Sequence, residues 1–348
     1  MAGTMMADGI VVGVDTHADV HVGVALSSLG ARLGSIQVRI DAEGLVELAA
    51  WAEGLGSISC FGVEGTGSYG ATLARLLHAR GHRVVEVMRA DRATRRSKGK
   101  SDPIDAEAAA RSVLSGAACG VPKSADGAVE MIRSLRVARR SAMKAKTQAA
   151  NQLHALVTTC PVDLREKLGR LPVPSLVEVA ARFRVSCLDS PEAAARLALR
   201  HLARRHVALE AEISSLDDGL QILVAQAAPS LVSLSGVGTD VAGALLVAAG
   251  DNPGRLRSEA SFAALCGAAP IPASSGKTSR HRLSRGGDRS ANNALWRIVL
   301  VRMRYDEQTR TYVTRRTNEG LSKREIIRCL KRYVAREVYR HLEGVDGL

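Results

Sequence analysis

Aromatic side chains are scarce, at 3% of the 348 residues. Proteins that read single-stranded nucleic acid by stacking its bases need such rings, so this mode of recognition is disfavoured. Long apolar runs are also missing, because the longest spans residues 241–249, far short of the roughly 20 residues of a membrane helix. The first nine residues lack the charged and apolar regions of a secretory signal. We therefore expect a cytoplasmic protein that does not contact membranes.

Cysteine pairs of the CxxC type are absent, although the chain contains six cysteines. This scatter is typical of reduced cytoplasmic thiols. Hydrophobic residues make up 46% of the chain, which excludes disorder throughout. The length is sufficient for about two domains.

Positive charge is abundant, with a net charge of +13 and an isoelectric point of about 9.9. It is confined to residues 91–200, with a net +9, and residues 251–348, with a net +10. A single basic run is usually a solvated surface, but two blocks rich in arginine, which binds phosphate as a planar fork, favour nucleic acid as the partner.

The first third of the chain has the alternation and turn signals of an α/β domain. We predict strands at 10–15, 20–26 and 32–40, a helix at 41–53, a strand at 58–63, a helix at 71–79, a strand at 83–88 and a helix at 103–114. The first three strands form an antiparallel meander, and Asp41 caps the first helix. The order βββαβαβα is that of a ribonuclease-H-like domain.

The middle of the chain is predicted to be helical. One long helix covers residues 128–158, and residues 161–191, with four prolines, form a connector or small insertion. Apolar residues then recur with the heptad spacing of a helix seam, at Leu202, Leu209, Ile213, Leu216, Leu220 and Leu223. A coiled-coil-like pairing and an intramolecular helical hairpin explain this seam equally well.

The last third is predicted to be mostly α-helical. Gly236 and Gly238 precede a helix of small residues, as in a helix–hairpin–helix element that offers backbone N–H groups to a DNA phosphate. The final helix, 322–342, is amphipathic. Its predicted inward face is Ile327, Leu330, Val334, Val338 and Leu342, and its predicted polar face is Arg324, Arg328, Lys331, Arg332, Arg336 and Arg340.

Four carboxylates follow or begin predicted elements of the α/β domain. Asp15 ends the first strand, Glu64 follows the fourth, and Asp102 and Asp105 share one face at the start of a helix. Such a set suits two Mg²⁺ or Mn²⁺ ions, and a two-metal clamp suits displacement at a phosphodiester. For the second pair, helix capping is an equal alternative, with Asp102 as N-cap, Pro103 at N1 and Asp105 at N3. Asp15 has no capping role.

Residues 65–70 spell GxGxxG, the fingerprint of dinucleotide-binding domains. Glu64, directly before it, would repel a pyrophosphate, and the chain before it is a meander rather than a βαβ unit. We expect instead that Gly65 and Gly67 let the backbone turn sharply beside the carboxylate.

Residues 262–293 contain a Ser-Ser-Gly-Lys turn among arginines. A serine there, if activated, would lie beside a clamped phosphate, and guanidinium groups would stabilise the developing charge. Residue types alone favour a flexible loop that only contacts phosphates, and His281 fits a phosphate contact as well as a base. Across the chain, the predicted nucleic-acid contacts are Arg95, Arg96, Lys98, Lys100, Gly236, Gly238, Lys277, Arg280, Arg282, Arg285 and Arg289.

Together these motifs resemble the DEDD transposases of the insertion sequence 110 family, which are RNA-guided serine recombinases. The resemblance covers nearly the whole chain, and its motifs are specific in their order and spacing. They are Val-Gly-Val-Asp-Thr-His (12–17), Gly-Val-Glu-Gly-Thr-Gly-Ser-Tyr (62–69), Lys-Ser-Asp-Pro-Ile-Asp-Ala (100–106), Gly-Val-Gly (236–238), Phe-Ala-Ala-Leu-Cys-Gly-Ala-Ala-Pro (262–270) and Ser-Ser-Gly (274–276).

The resemblance implies a RuvC-like domain at 1–118, a helical linker at 119–226 and a serine transposase domain at 227–348. It implies that Asp15, Glu64, Asp102 and Asp105 bind Mg²⁺ (or Mn²⁺), and that Ser275 attacks a DNA phosphate to form a phosphoserine intermediate. Residue chemistry alone does not separate Ser275 from Ser274. The implied partners are double-stranded donor and target DNA, a structured bridge RNA that pairs with both, and further copies of the chain, in a dimer to tetramer acting at the prokaryotic nucleoid.

Two other functions compete with this interpretation. A RuvC-like Holliday-junction or structure-specific nuclease would use metal-activated water and leave free DNA ends. A non-catalytic nucleic-acid-binding protein would use the acids only as helix caps and structural partners. An RNA guide would itself read the bases, which is consistent with few aromatic residues and many arginines.

Overall fold

The structure of the chain is a computed structural model, which describes residues 9–87, 101–252, 255–276, 281–282, 284 and 286–342. It divides into two compact units. The first comprises residues 1–126 with 250–255, and the second comprises residues 127–249 with 256–348. Among the described residues, no helix is both long and apolar enough to cross a membrane.

The first unit contains a five-stranded mixed sheet. Its strands are β1 (Ile10–Thr16), β2 (Val20–Leu26), β3 (Arg32–Arg39), β4 (Ile58–Glu64) and β5 (Val84–Val87). They lie side by side in the order β3-β2-β1-β4-β5. The first three are antiparallel neighbours, whereas β4 is parallel to both β1 and β5. The predicted meander and the α/β class are therefore confirmed.

Helices cover both faces of this sheet. They are α1 (Ala42–Gly54), α2 (Ala71–Ala79) and α3 (Asp102–Leu114). Asp41 caps α1 as predicted, since its side chain accepts a hydrogen bond from the Gly44 amide at 2.8 Å. One apolar core joins the sheet to α1 and α2, and a second joins the opposite face to α3. This two-sided arrangement brings the start of α3 to one face of the sheet.

Two long antiparallel helices begin the second unit. They are α4 (Ala128–Thr159) and α7 (Pro191–Ala227). Arg139 of α4 pairs with Asp217 of α7, whereas Lys146, further along α4, pairs with Glu210, earlier in α7. Within one chain the heptad seam of α7 therefore packs in an intramolecular hairpin.

The predicted connector at 161–191 contains two further helices. They are α5 (Val162–Leu168) and α6 (Val173–Ala181). Leu164 and Leu176 are buried in a core shared with Leu153 of α4 and Leu199 of α7. The prolines of this stretch interrupt helices rather than prevent them, because Pro161 and Pro172 stand just before the two helices.

The remaining elements are mostly helical, as predicted. They are α8 (Pro229–Val232), α9 (Thr239–Ala249), α10 (Glu259–Leu265), β6 (Ile271–Pro272), β7 (His281–Arg282), α11 (Arg289–Tyr305), α12 (Glu307–Asn318) and α13 (Lys323–Leu342). The prediction for α13 was wrong at Lys331, which was assigned to the polar face and is 6% exposed. Ile327 is half-buried and packs against the core as predicted, and Ile326, which the prediction left out, is buried as well.

Candidate functional site

Asp15 and Glu64 lie on neighbouring parallel strands. Val14 of β1 is paired with Val63 of β4, so Asp15 and Glu64 are the next residues along each strand. Because side chains alternate along a strand, both carboxylates share the sheet face that α3 covers. They are 5% and 7% exposed, respectively. The ends of two strands thus place two buried acids side by side.

Two glycines allow α3 to pack directly on these strands. A Cβ at Gly13 would lie 2.1 Å from the carbonyl oxygen of Ala106 and 2.4 Å from the amide nitrogen of Ala110. A Cβ at Gly62, the partner of Gly13 on β4, would lie 2.6 Å from Cγ2 of Val113. Such contacts are shorter than real Cβ atoms show, so only glycine permits this approach. The close packing carries the first turn of α3 to the acidic end of the strands.

Asp102 and Asp105 occupy that first turn, next to Asp15. Nε2 of His17 lies 3.0 Å from Oδ2 of Asp15 and 3.3 Å from Oδ1 of Asp102, so one ring nitrogen joins the strand to the helix. Asp105 is 8% exposed. Of the predicted acids, Asp102 and Asp105 each interact electrostatically with Asp15, and Glu64 lies on the sheet face that Asp15 occupies. The structure thus brings Asp102 and Asp105 close to Asp15, and it places Glu64 on the neighbouring strand of the same sheet face.

His17 was missed by the sequence reasoning. It follows Asp15 by two residues, and residues two apart on a strand point to the same face. This spacing was the available signal. Asp15, His17 and Asp102 offer three potential metal ligands whose atoms lie within 4.8 Å of one another.

Electrostatics favour a cation at this position. Burial raises the pKa of Asp15, the neighbouring His17 opposes the rise, and the negative charges of Asp105 and Asp102 add to it. Several acids held close together in a partly dry site repel one another, and a divalent cation would relieve that repulsion. Carboxylate oxygens are the ligands that Mg²⁺ and Mn²⁺ prefer. The residues present therefore fit such an ion.

The capping alternative for Asp102 was wrong. Ser101 is the N-cap residue of α3, Asp102 is the first helical residue, and Pro103 follows it. Asp102 lies within the helix, and its carboxylate contacts His17 instead of closing the helix end. Both acids still lie in the first turn, where the helix dipole favours negative charge.

The glycine-rich turn after β4 orders the backbone at Glu64. Gly65 has a positive φ of 67°, and a Cβ at Gly70 would lie 2.8 Å from the carbonyl oxygen of Glu64. The hydroxyl of Thr16 donates to that same carbonyl at 2.8 Å. The expectation for Gly67 was wrong, because its backbone is unstrained and a Cβ there would meet open space. Gly65 and Gly70 are the glycines that this turn requires.

Ser275 lies in the second unit, on a loop held at both ends. A Cβ at Gly287 would lie 2.5 Å from the carbonyl oxygen of Leu265, and the Asp288 amide donates to that oxygen at 2.6 Å. The side chain of Asp288 then caps α11 through the amides of residues 290 and 291. Ser274 and Ser275 are both exposed between the short strands β6 and β7. The loop base is therefore fixed while the serines face solvent.

The predicted nucleic-acid contacts are only partly described. Arg282 and Arg289 are exposed. Gly236 has a positive φ of 82°, and Gly238 is exposed at the start of α9. The other predicted contacts lie outside the described residues: Arg95, Arg96, Lys98, Lys100, Lys277, Arg280 and Arg285.

Many cations of the basic blocks are paired with acids and therefore contribute little free positive charge. Arg136 and Arg297 both bind Asp240, and Arg302 binds Glu337. Burial alone would raise the pKa of Asp240, but Arg136 and Arg297 outweigh it, so the pKa is lowered. The 48 lysines and arginines therefore overstate the number of cations that are free to meet a polyanion, whereas the net charge of +13 already subtracts the acids.

Comparison with known proteins gives three matches. Residues 12–161 match a family model for DEDD transposases of the IS110 type, and residues 228–314 match a model described as "Transposase IS116/IS110/IS902 family". A relative from Streptomyces coelicolor, described as an uncharacterized 43.6 kDa protein of insertion element IS110, is 36% identical over 132 residues. That alignment covers 37% of this chain and 30% of the relative. The acids and the serine loop both fall within the segments that the family models match.

Proposed function

The chain belongs to the IS110 family of transposases, and we propose that it is an RNA-guided DNA recombinase that cuts and exchanges strands through Ser275. One observation carries the proposal for the acids: Asp15 and Asp102 meet at a single nitrogen of His17, with Asp105 beside them. Acids that only capped helices would not need to gather at one sheet face.

We assign residues 1–118 to a RuvC-like domain, on the strength of the mixed sheet and its acidic end. Asp15, Glu64, Asp102 and Asp105 would hold Mg²⁺ (or Mn²⁺), with His17 as a fifth candidate ligand. The bound ion would neutralise charge on the phosphoryl oxygens of the DNA during displacement. Buried carboxylates on rigid strand ends keep this geometry fixed, since neither β1 nor β4 has to move to assemble it.

Ser275 would act as the nucleophile. Its Oγ forms a bond to phosphorus while the bond from phosphorus to one sugar oxygen breaks. The hydroxyl proton passes to a basic group, and the departing sugar oxygen takes up a proton. Nothing is oxidised or reduced, and the phosphoserine ester preserves the energy of the original bond. Attack by a hydroxyl of another strand reverses the step and completes the exchange.

The proposed function implies that the protein binds nucleic acids and further copies of itself. The helical linker, residues 119–226, and the serine domain, residues 227–348, would bind donor and target DNA together with a structured RNA. Exposed Arg282 and Arg289 suit contacts to phosphate. We propose a dimer to tetramer as the working form, in which the acids of one copy serve the serine of another.

A covalent-adduct assay tests the proposal. Purified protein with its co-purifying RNA, Mg²⁺ and labelled donor DNA is denatured, and protein-linked DNA is measured on a gel. We expect an adduct with wild-type protein and with Ser274→Ala, and none with Ser275→Ala. If the DNA were instead cut with free ends, and if Ser275→Ala did not change the rate of cutting, the protein would be a nuclease that uses activated water. If DNA were bound but unprocessed at any Mg²⁺ concentration, a non-catalytic binding protein would be the better description.

A further inference from the structure

A cavity of about 500 Å³ lies in the second unit, against the base of the serine loop. One wall is the segment 267–270 that follows α10, and another is His281 and Arg282 of β7. The remaining wall comes largely from α13, with Arg328, Lys331 and Arg332. The cavity thus shares β7 with the hairpin that carries Ser275.

Cations dominate the lining of this cavity. Arg282, Arg316, Arg328, Lys331 and Arg332 all line it, and Glu325 is the one carboxylate among its described lining residues. Glu325 accepts hydrogen bonds from the amide and the hydroxyl of Ser322 at the start of α13, and it lies 3.8 Å from Arg328. Arg332 and Arg316 also pair with Glu259 and Glu319, which lie outside the lining. Within the described part of the chain, Arg282 and Lys331 have no carboxylate partner, so the cavity is electropositive.

Lys331 is the buried cation of this set. Its Nζ donates to Oδ1 of Asn292 at 3.0 Å. The amide nitrogen of Asn292 donates to the carbonyl oxygens of Cys266 and Gly267, so that Oδ1 is fixed toward the lysine. Among the described residues no carboxylate pairs with the amine, and burial, followed by repulsion from Arg328, lowers the pKa of Lys331. Burying a cation without an anion is costly, and a bound anion would offset that cost.

Two guanidinium groups of the lining have donors that are not used within the described part of the chain. Nη2 of Arg332 binds Glu259 at 2.9 Å, but its Nη1 is buried without a hydrogen-bond partner. Arg316 binds Glu319 through Nη1, and its Nε is also buried without a partner. Buried donors are normally satisfied, so such donors mark a site where acceptor oxygens fit.

We propose that this cavity binds a phosphodiester group of the DNA strand that Ser275 attacks, an inference that rests on the proposed role of Ser275. A phosphate offers two unesterified oxygens and a full negative charge, which suit the lysine amine and the arginine forks. Anchoring the strand at β7 and α13 positions it relative to the serine loop. Lys331, Arg328 and Arg282 are positioning residues in this proposal, not catalytic ones.

Equilibrium binding to DNA tests the site without requiring chemistry. The probe is a fluorescein-labelled duplex of about 20 base pairs, followed by anisotropy at several salt concentrations. Arg328→Gln and Lys331→Met should each weaken binding about tenfold, the value of one charge-assisted contact. Each should also reduce the slope of log affinity against log salt by about one, as expected for one lost phosphate contact.

Matched controls come from the same helix. Arg324→Gln and Lys323→Met remove the same charges from exposed positions of α13 outside the cavity. Both should bind DNA nearly as wild type does. If the cavity variants matched these controls in affinity and salt slope, the proposal would be overturned. Thermal unfolding checks that each variant folds, and Arg328, only half-buried, keeps the test valid should Lys331→Met not fold.

Two further arms separate this inference from the proposed function. Ser275→Ala should leave DNA binding unchanged, so loss of the adduct alone leaves the cavity proposal intact. Conversely, an adduct that forms normally in Arg328→Gln with wild-type DNA affinity would refute the cavity and not the nucleophile. An RNA duplex of the same length is a second probe, and it tests which nucleic acid occupies the cavity. If the cavity variants lost affinity for the RNA duplex alone, DNA would be rejected as the occupant of the cavity.

Discussion

Nε2 of His17 lies 3.0 Å from Oδ2 of Asp15, a contact between two residues that the end of β1 places on one side of the sheet. The same nitrogen approaches Asp102 at the start of α3. A single imidazole thus joins strand and helix at the point where the acids gather. A divalent cation held by those acids would meet the same oxygens, so metal binding and the His17 contacts are coupled.

Asp15→Asn is expected to abolish stabilisation by Mg²⁺ without destabilising the metal-free protein. Burial raises the pKa of Asp15 in the folded protein, so folding favours the protonated carboxyl group. The stability that this group contributes is present below its pKa in the unfolded chain, and it is lost as the pH rises through its pKa in the folded protein. At neutral pH the metal-free variant should therefore unfold at the same temperature as wild type or above it. In wild type, Mg²⁺ at about 100 times its Kd should add about 2.7 kcal/mol.

Calorimetry with and without Mg²⁺ measures both effects of Asp15→Asn. Asp19→Asn is the control, because Asp19 is an exposed acid in the turn after β1. It should retain the full response to Mg²⁺. An Asp15→Asn protein that Mg²⁺ still stabilises would show that Asp15 is not a ligand.

Gly13→Ala is expected to lower the free energy of unfolding by about 1–3 kcal/mol or more, the usual cost of overpacking. The new methyl group would meet backbone atoms of Ala106 and Ala110, which have no flexible end that could move aside. Displacing α3 would also separate Asp102 and Asp105 from Asp15, so the Mg²⁺ response should weaken. Urea unfolding measures the first effect and calorimetry the second.

Gly67→Ala is the matched control for Gly13→Ala. Its Cβ would meet open space, and its φ is not positive. We expect near wild-type stability and Mg²⁺ response. If the two alanine variants behaved alike, close packing of α3 would not be what assembles the acids.

Much of the first unit could be predicted because its signals are local. Alternation located β2, and the capping carboxylate of Asp41 located the start of α1. The acids could be predicted because the ends of strands and the starts of helices can be located from the sequence. Neighbouring parallel strands also bring their carboxyl ends together. Asp15 stood out since a buried strand offers no structural use for a charge.

Features that depend on contacts distant in sequence could not be predicted. Lys331 was placed on a polar face because helical periodicity cannot show that Asn292, on α11, supplies an acceptor inside the core. For the same reason, periodicity could not show which helix packs against the seam of α7. The ion pair between Arg139 of α4 and Asp217 of α7 identifies α4 as that helix. His17 was overlooked because its partner Asp102 belongs to an element far along the chain.

Asp240→Asn is expected to destabilise the second unit by about 1–2 kcal/mol at neutral pH, discounted for partial exposure. Its carboxylate joins Arg136 of α4 to Arg297 of α11, so the variant leaves two guanidinium groups without their partner. The pKa of Asp240 is lowered in the folded protein, so folding favours its ionised carboxylate. The stability that Asp240 contributes is present above its pKa in the unfolded chain, and it is lost as the pH falls through its pKa in the folded protein.

The difference between wild type and Asp240→Asn should therefore shrink as pH falls below about 4. Urea unfolding at several pH values measures it. Asp218→Asn, at an exposed position of α7, is the control and should change stability by less than about 0.5 kcal/mol. A difference that did not depend on pH would contradict an electrostatic origin.

Asp102→Asn separates a metal ligand from an acid that serves only the first turn of α3. Asparagine is neutral and close in size to aspartate, so a role confined to the helix dipole predicts a loss of stability of no more than about 1 kcal/mol and an unchanged response to Mg²⁺. We expect instead that the Mg²⁺ response is lost, because the carboxylate beside His17 is replaced by a neutral amide. Ser101→Ala is the companion variant: its side chain makes no capping hydrogen bond, so it should cost less than the usual 1 kcal/mol or so of a lost N-cap. Calorimetry of both variants with and without Mg²⁺ decides between the two roles. If Asp102 is a metal ligand, Mg²⁺ no longer stabilises Asp102→Asn although α3 stays folded.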